Sequence, residues 1–182
     1  MSKKIKFYYV DLKYMEYLKS VDSKVSDVSL ENKKDKRKFI GILFEINKLK
    51  YLAPLSSKKS KFLKMKNSLD FIKINSGEEG AINFNNMIPV FDLYIKEYIL
   101  EEETDINYKK LVEKQLSWCN KEENKSKILK TATKLYEYML LDKLPNNIKE
   151  RCCNFKLLEE KAIEYDKEKY FYLNNYNNVL KL

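Results

Sequence analysis

FIGILFEINKLKYLAPLSSKK, residues 39–59, decides how the rest of the chain is read. Phe39, Ile40, Ile42, Leu43, Phe44 and Ile46 form an apolar run rich in β-branched and aromatic side chains, the composition of a buried strand. Asn47-Lys48 predicts a tight turn, and Tyr51 to Leu55 a returning strand. Pro54 has no N–H to give to a ladder, which predicts that this second strand lies at an edge or is about to end. The chain then changes character at once, to Ser56, Ser57, Lys58, Lys59, Ser60 and Lys61. Hydroxyls and ammonium groups at the end of a stiff hairpin hold polar reagents on a fixed base, a place suited to chemistry on a phosphate.

Upstream, Lys4 to Val10 reads as a first strand, and Asp11 is placed to cap a helix whose Tyr14, Met15, Leu18 and Val21 recur at helical spacing. A polar stretch from Asp22 to Glu31 reads as a surface loop. It leads into the basic run from Asn32 to Lys38, immediately before the hairpin. Such a run is often only a solvated face, but beside the Ser/Lys tip it can line the same phosphate-binding cleft. Downstream, Lys58, Lys59, Lys61, Lys64 and Lys66 interleave with Phe62, Leu63 and Met65, the pattern of a loop or short helix lying along an RNA strand. Leu69 to Ile74 alternates like a strand, Gly77 to Gly80 marks a turn, and Ala81 to Phe84 and Met87 to Tyr98 read as further strands.

Beyond Glu101-Glu102-Glu103 the pattern becomes helical. Leu111, Val112, Gln115, Leu116, Trp118 and Cys119 form one stripe; Ile128, Ala132, Leu135, Tyr136, Met139 and Leu140 form a second. Pro145-Asn146-Asn147 interrupts the helices, and Asn154 is placed to cap a last one over Lys156 to Tyr170. The whole predicts an α+β protein, an antiparallel sheet of five or six strands with helices packed against it. One domain is expected over residues 1–182, sheet-rich over 1–100 and helical over 104–170.

Composition narrows the chemistry. A formal charge of +9 favours an anionic partner, nucleic acid ahead of a membrane surface. No apolar stretch reaches the length of a membrane span, and the start MSKKIKFYYV is unlike a signal peptide, so a cytoplasmic protein is expected. Three cysteines, Cys119 and the pair Cys152-Cys153, lack metal-site spacing. The chain contains no histidine, so imidazole acid–base catalysis and a Cys/His metal site are excluded. If RNA is the partner, cleavage needs a base for the ribose 2′-OH, positive charge at the crowded phosphate and an acid for the leaving 5′-oxygen. Lysines and hydroxyls can orient and neutralise the phosphate; base work is harder for a lysine, although like-charge crowding among Lys58, Lys59 and Lys61 works in the direction of a neutral amine. The bland reading of SSKK is the end of a strand.

The segments KFYYVDLKYMEYLK, FIGILFEI, KYLAPLSSKK, GAINFNNMIPV and CNFKLLEEK occur in the order found in the ToxN/AbiQ family, which the chain resembles over nearly its whole length, most of all in the AbiQ branch of abortive infection against phage. These are endoribonuclease toxins of type III toxin–antitoxin systems. The resemblance implies a strongly twisted antiparallel sheet related to the Kid/MazF toxin fold and surrounded by helices. It implies metal-independent RNA cleavage, without a cofactor, at A-rich sites in mRNA or phage transcripts, leaving 2′,3′-cyclic phosphate and 5′-hydroxyl ends. It also implies inhibition by a pseudoknotted antitoxin RNA processed from tandem repeats, in closed ring-like assemblies of protein and RNA. The family's hydroxyl pair and lysine fall on Ser56, Ser57 and Lys59. An upstream active-site lysine of some relatives aligns with Arg37, beside Lys38, and a tyrosine aligns with Lys33. Arg37 keeps the charge but cannot act as a base at neutral pH. The RNA-binding set expected is Arg37, Lys38, Lys36, Lys33, Lys58, Lys61 and Lys64. A different reading, a basic RNA-binding regulator without catalysis, rests on charge and aromatic content alone.

Overall fold

The computed structural model describes residues 4–27, 38–41 and 43–179, with side chains described as far as residue 167. Eight strands form one antiparallel network: β1 (Lys6–Val10), β2 (Phe39–Gly41), β3 (Glu45–Ile46), β4 (Leu49–Ser56), β5 (Phe71–Lys73), β6 (Ala81–Asn83), β7 (Ile88–Val90) and β8 (Ile95–Glu97). Among the described residues the α-helices are α1 (Leu12–Val21), α2 (Ser60–Lys64), α3 (Ile106–Cys119), α4 (Glu122–Leu140), α5 (Asn146–Lys149) and α6 (Phe155–Val179).

The predicted hairpin is present, and it is the hub. Asn47 and Lys48 take φ of 51° and 69°, as a two-residue hairpin turn requires, and β4 returns from them antiparallel to β3. β4 changes partners along its length: β3 and then β2 on one side, β7 and then β6 on the other. It is therefore central, not the edge strand that Pro54 suggested. Backbone bonds explain why proline is tolerated. The Leu55 N–H donates to the Lys38 carbonyl on the β2 side, so the nitrogen of Pro54 faces the other side. There it falls in the gap between Leu52, paired with Ile88 of β7, and Leu55, paired with Ile82 of β6. A missing donor at a change of partner costs no ladder bond.

Other expectations are met with different bounds: the sheet has eight strands among the described residues where five or six were expected, and α6 runs longer than Lys156 to Tyr170. The Asp11 carboxylate caps α1 by accepting from the Tyr14 N–H at 2.9 Å, and Tyr14, Met15 and Leu18 are buried from α1. The run from Met87 to Tyr98 is two strands, β7 and β8, separated by a 3-10 turn at Asp92–Tyr94. In the helical part, α3 buries Val112, Gln115 and Cys119, and α4 buries Ile128, Ala132, Leu135 and Tyr136, whereas Leu140 of the predicted stripe is 49% exposed. Burial pushes each of the three thiols up to about 12, so they are neutral packing groups at physiological pH.

Sheet and helices share one core. Its centre is an aromatic cluster in which Tyr51 of β4 stacks on Phe44 and meets Tyr136 of α4 and Phe155 of α6 edge-on or tilted. Two buried hydroxyls need partners, and one carboxylate serves both: Tyr51 and Tyr136 each donate to Glu159 Oε1 at 2.7 Å. Asn154 caps the start of α6 by accepting from the Leu157 N–H at 3.2 Å. The segment CNFKLLEEK thus works here as a strut between the last helix and the hub strand.

Candidate active site

The end of β4 is braced from below. Ser56 pairs with Ala81 across the ladder, and its Oγ accepts from Asn83 Nδ2 at 2.8 Å. Gly80 lies so close that a Cβ there would sit 2.1 Å from the Ser56 carbonyl oxygen, and its φ of +104° suits glycine alone. Gly77, at the other end of the same turn, packs on Phe62 of α2. Phe62 in turn tilts against Phe71 with ring centroids 5.2 Å apart, over Ala81. The turn itself is held from outside, because Gln115 of α3 donates to the Glu79 carbonyl at 2.6 Å. The Ser/Lys tip thus sits on a platform made by β5, β6, the Gly77–Gly80 turn and α3.

On that platform Ser57, Lys58 and Lys59 are exposed between β4 and α2. Lys58 is ion-paired with Glu78, across the gap to the turn. No side-chain partner meets the Ser57 hydroxyl or the Lys59 ammonium among the described residues. Lys61 and Lys64 are exposed on α2, with Lys61 Nζ 6.0 Å from the Phe62 ring centroid.

One expectation is corrected. Lys38, expected to contact RNA, is buried with a side chain only 3% exposed. Its Nζ lies 3.7 Å from the ring centroid of Tyr108, 4.5 Å from that of Tyr98 and 5.5 Å from that of Tyr9, with Glu103 Oε2 at 3.8 Å. Rings and carboxylate replace the water the ammonium has lost. Lys58, also in the expected RNA-binding set, is half-exposed and ion-paired with Glu78. Arg37, Lys36 and Lys33 lie outside the described residues.

Sequence reading overlooked Asn83, Gly80 and Glu78. The first two lie inside GAINFNNMIPV, a segment whose order was noticed and whose contact with the tip was not. Glu78 left no signal, because it is brought to Lys58 only by the fold.

A strand end bearing an exposed alcohol and an exposed ammonium group, in a basic histidine-free protein, has the chemistry that suits an anionic, phosphate-bearing partner. The family described as toxin ToxN, type III toxin–antitoxin system, matches residues 6–163. Endoribonuclease ToxN of Pectobacterium atrosepticum is 34% identical over 170 residues, 90% of this chain and 95% of that protein. A structure solved in work on selective toxin inhibition by a non-coding RNA pseudoknot aligns with a TM-score of 0.78 at 31% identity, covering 90% of this chain and 99% of that one. The structure of AbiQ, a lactococcal anti-phage endoribonuclease, aligns with a TM-score of 0.76 at 26% identity over 91% and 99%. The chain therefore belongs to the ToxN family, the endoribonuclease toxins of type III toxin–antitoxin systems.

No helix of the described residues is long and apolar enough to cross a membrane.

Proposed function

We propose that the tip cleaves RNA without a metal ion, by attack of a ribose 2′-oxygen on the adjacent phosphorus. The 2′-oxygen to phosphorus bond forms and the bond from phosphorus to the 5′-oxygen breaks, leaving a 2′,3′-cyclic phosphate and a 5′-hydroxyl. The 2′-proton leaves to a base as the attack proceeds. Lys59 carries the charge that offsets the crowded phosphate and a proton to give to the departing 5′-oxygen. Ser57 hydrogen-bonds a phosphate oxygen, and Ser56, fixed by Asn83, sets the position of the strand end.

The single observation that carries this reading is the division of labour at the tip. Lys58 is paired with Glu78, whereas Ser57 and Lys59 are exposed and meet no side-chain partner among the described residues. Both are unencumbered among the described residues and mounted on a braced base, so little ordering remains to be done when substrate arrives.

The physiological inhibitor is proposed to be a pseudoknotted antitoxin RNA from tandem repeats that covers the same basic surface, in a closed protein–RNA assembly. The substrates are cytoplasmic A-rich mRNA or phage transcripts, and the whole chain acts as one catalytic domain. The relatives support this: one solved structure concerns toxin inhibition by an RNA pseudoknot, and AbiQ is an anti-phage endoribonuclease. The test is cleavage of A-rich RNA in EDTA by the wild type, Ser57→Ala and Lys59→Ala proteins, with end analysis. Cyclic phosphate and 5′-hydroxyl ends from the wild type alone are expected. A metal requirement, or full cleavage by both folded variants, overturns the reading.

A further inference from the structure

Several surface lysines are paired with carboxylates, Lys6 with Glu97, Lys50 with Asp92, Lys114 with Glu79 and Lys161 with Glu164. A regularly spaced row on α4 is not. Lys127, Lys130 and Lys134 lie three and four residues apart on α4, so they stand on one face of that helix. No carboxylate meets any of them among the described residues, although α4 carries Glu122, Glu123 and Glu137. With Thr131 they line an open groove of about 360 Å³, whose other lining residues are Asn67, Ser68, Leu69 and Ile72. At the end of the row the Lys134 Nζ lies 5.2 Å from the ring centroid of Tyr138, a half-exposed ring.

The groove begins where the tip's own basic segment ends. After Lys59 come α2, with Lys61 and Lys64, then Met65 and Lys66, and Asn67 is the next residue. Five helical residues and a short extended link span at most about 20 Å. A strand leaving the tip therefore reaches Asn67 within a few nucleotides, along a segment that exposes Lys61, Lys64 and Lys66 together with Leu63 and Met65. Unmatched lysines spaced along a groove, ending at an aromatic face, are the features that hold a single-stranded backbone and stack a base. A solvated helix face needs neither the groove nor the ring.

We propose that the α4 groove binds the phosphate backbone of single-stranded substrate RNA flanking the scissile linkage. This rests on the tip being the cleavage site. The partner is named by its chemistry, an RNA backbone, and of its two sources, substrate strand and antitoxin RNA, the position beyond α2 favours the substrate.

The test compares A-rich oligonucleotides of about four and about twenty nucleotides, lengths below and beyond a typical single-strand site. The variant is Lys127→Gln/Lys130→Gln/Lys134→Gln. A charge-matched control, Lys13→Gln/Lys110→Gln/Lys143→Gln, removes three exposed lysines elsewhere. The ratio of kcat/KM for long over short substrate is expected to fall about tenfold or more in the α4 variant and to hold in the control. Binding of the long RNA, measured in the Ser57→Ala background, is expected to lose about 2 from its log–log salt slope, at about 0.7 per lost phosphate contact. Equal behaviour of variant and control overturns the inference, as does a loss confined to the antitoxin RNA. If the wild type cleaves neither oligonucleotide while the salt slope still falls, the groove stands and the catalytic reading fails.

Discussion

Lys38 and Lys59 come from the two basic stretches that flank one hairpin, and the fold treats them in opposite ways. Lys38 is enclosed by three tyrosine rings and the Glu103 carboxylate. Lys59 stands in solvent on a braced strand end with no partner among the described residues. The first lysine stabilises the molecule; the second is available to a substrate. A charge is useful for chemistry only where the protein has left it unspent, and local sequence density does not show which charges those are.

The comparison breaks most readily at the tip. Lys59→Ala or Ser57→Ala is expected to lower cleavage by about 10²- to 10⁴-fold. Both positions are exposed, so stability should shift by less than about 0.5 kcal/mol, read from urea unfolding. Unchanged cleavage with intact folding would put the chemistry elsewhere.

Lys38→Met is the reciprocal experiment. It leaves a half-buried Glu103 without its cation and is expected to cost about 3 kcal/mol of unfolding free energy. Cleavage per folded molecule should fall far less than in Lys59→Ala. A Lys38 variant as stable as wild type but inactive would reverse the roles assigned to the two lysines.

Asp70 tests the bracing beneath the platform. Burial alone would raise its carboxyl, but hydrogen bonds from Arg151 and Ser68 outweigh that and hold it below the ordinary value of 3.8. A depressed native pKa contributes stability that is present above 3.8 and lost as pH falls through the native value. Asp70→Asn should therefore cost about 1–3 kcal/mol at neutral pH, with the gap from wild type closing only below about pH 4. A constant gap down to lower pH would show that packing, not ionisation, is lost.

The smallest effect is expected at Glu78→Gln, which releases Lys58. An exposed pair contributes under about 1 kcal/mol, so unfolding should barely change. RNA affinity should rise slightly and its salt slope steepen by about 0.7, one more lysine having become available. No change in slope would mean that Lys58 faces away from bound RNA even when free.

The hairpin itself was legible in sequence because Asn47-Lys48 and the flanking apolar runs are local signals, and so was the Asp11 cap. The centrality of β4 was not, because Pro54 is judged by which neighbour its nitrogen faces, and that depends on β6 and β7 arriving from residues 81 to 90. At the site, Ser56, Ser57 and Lys59 were named from one short motif. The fate of Lys38 was hidden because its cage draws Tyr9, Tyr98, Glu103 and Tyr108 from segments far apart in the chain. Glu78 was hidden for the same reason.

The bond from Tyr51 to Glu159 has a bearing on when the hub strand acquires its last support. The hub strand is complete after residue 56, yet its central tyrosine acquires an acceptor only once residue 159 has cleared the ribosome. A chain still in translation, or one cut short before that point, carries the Ser/Lys tip on a scaffold that lacks this tie.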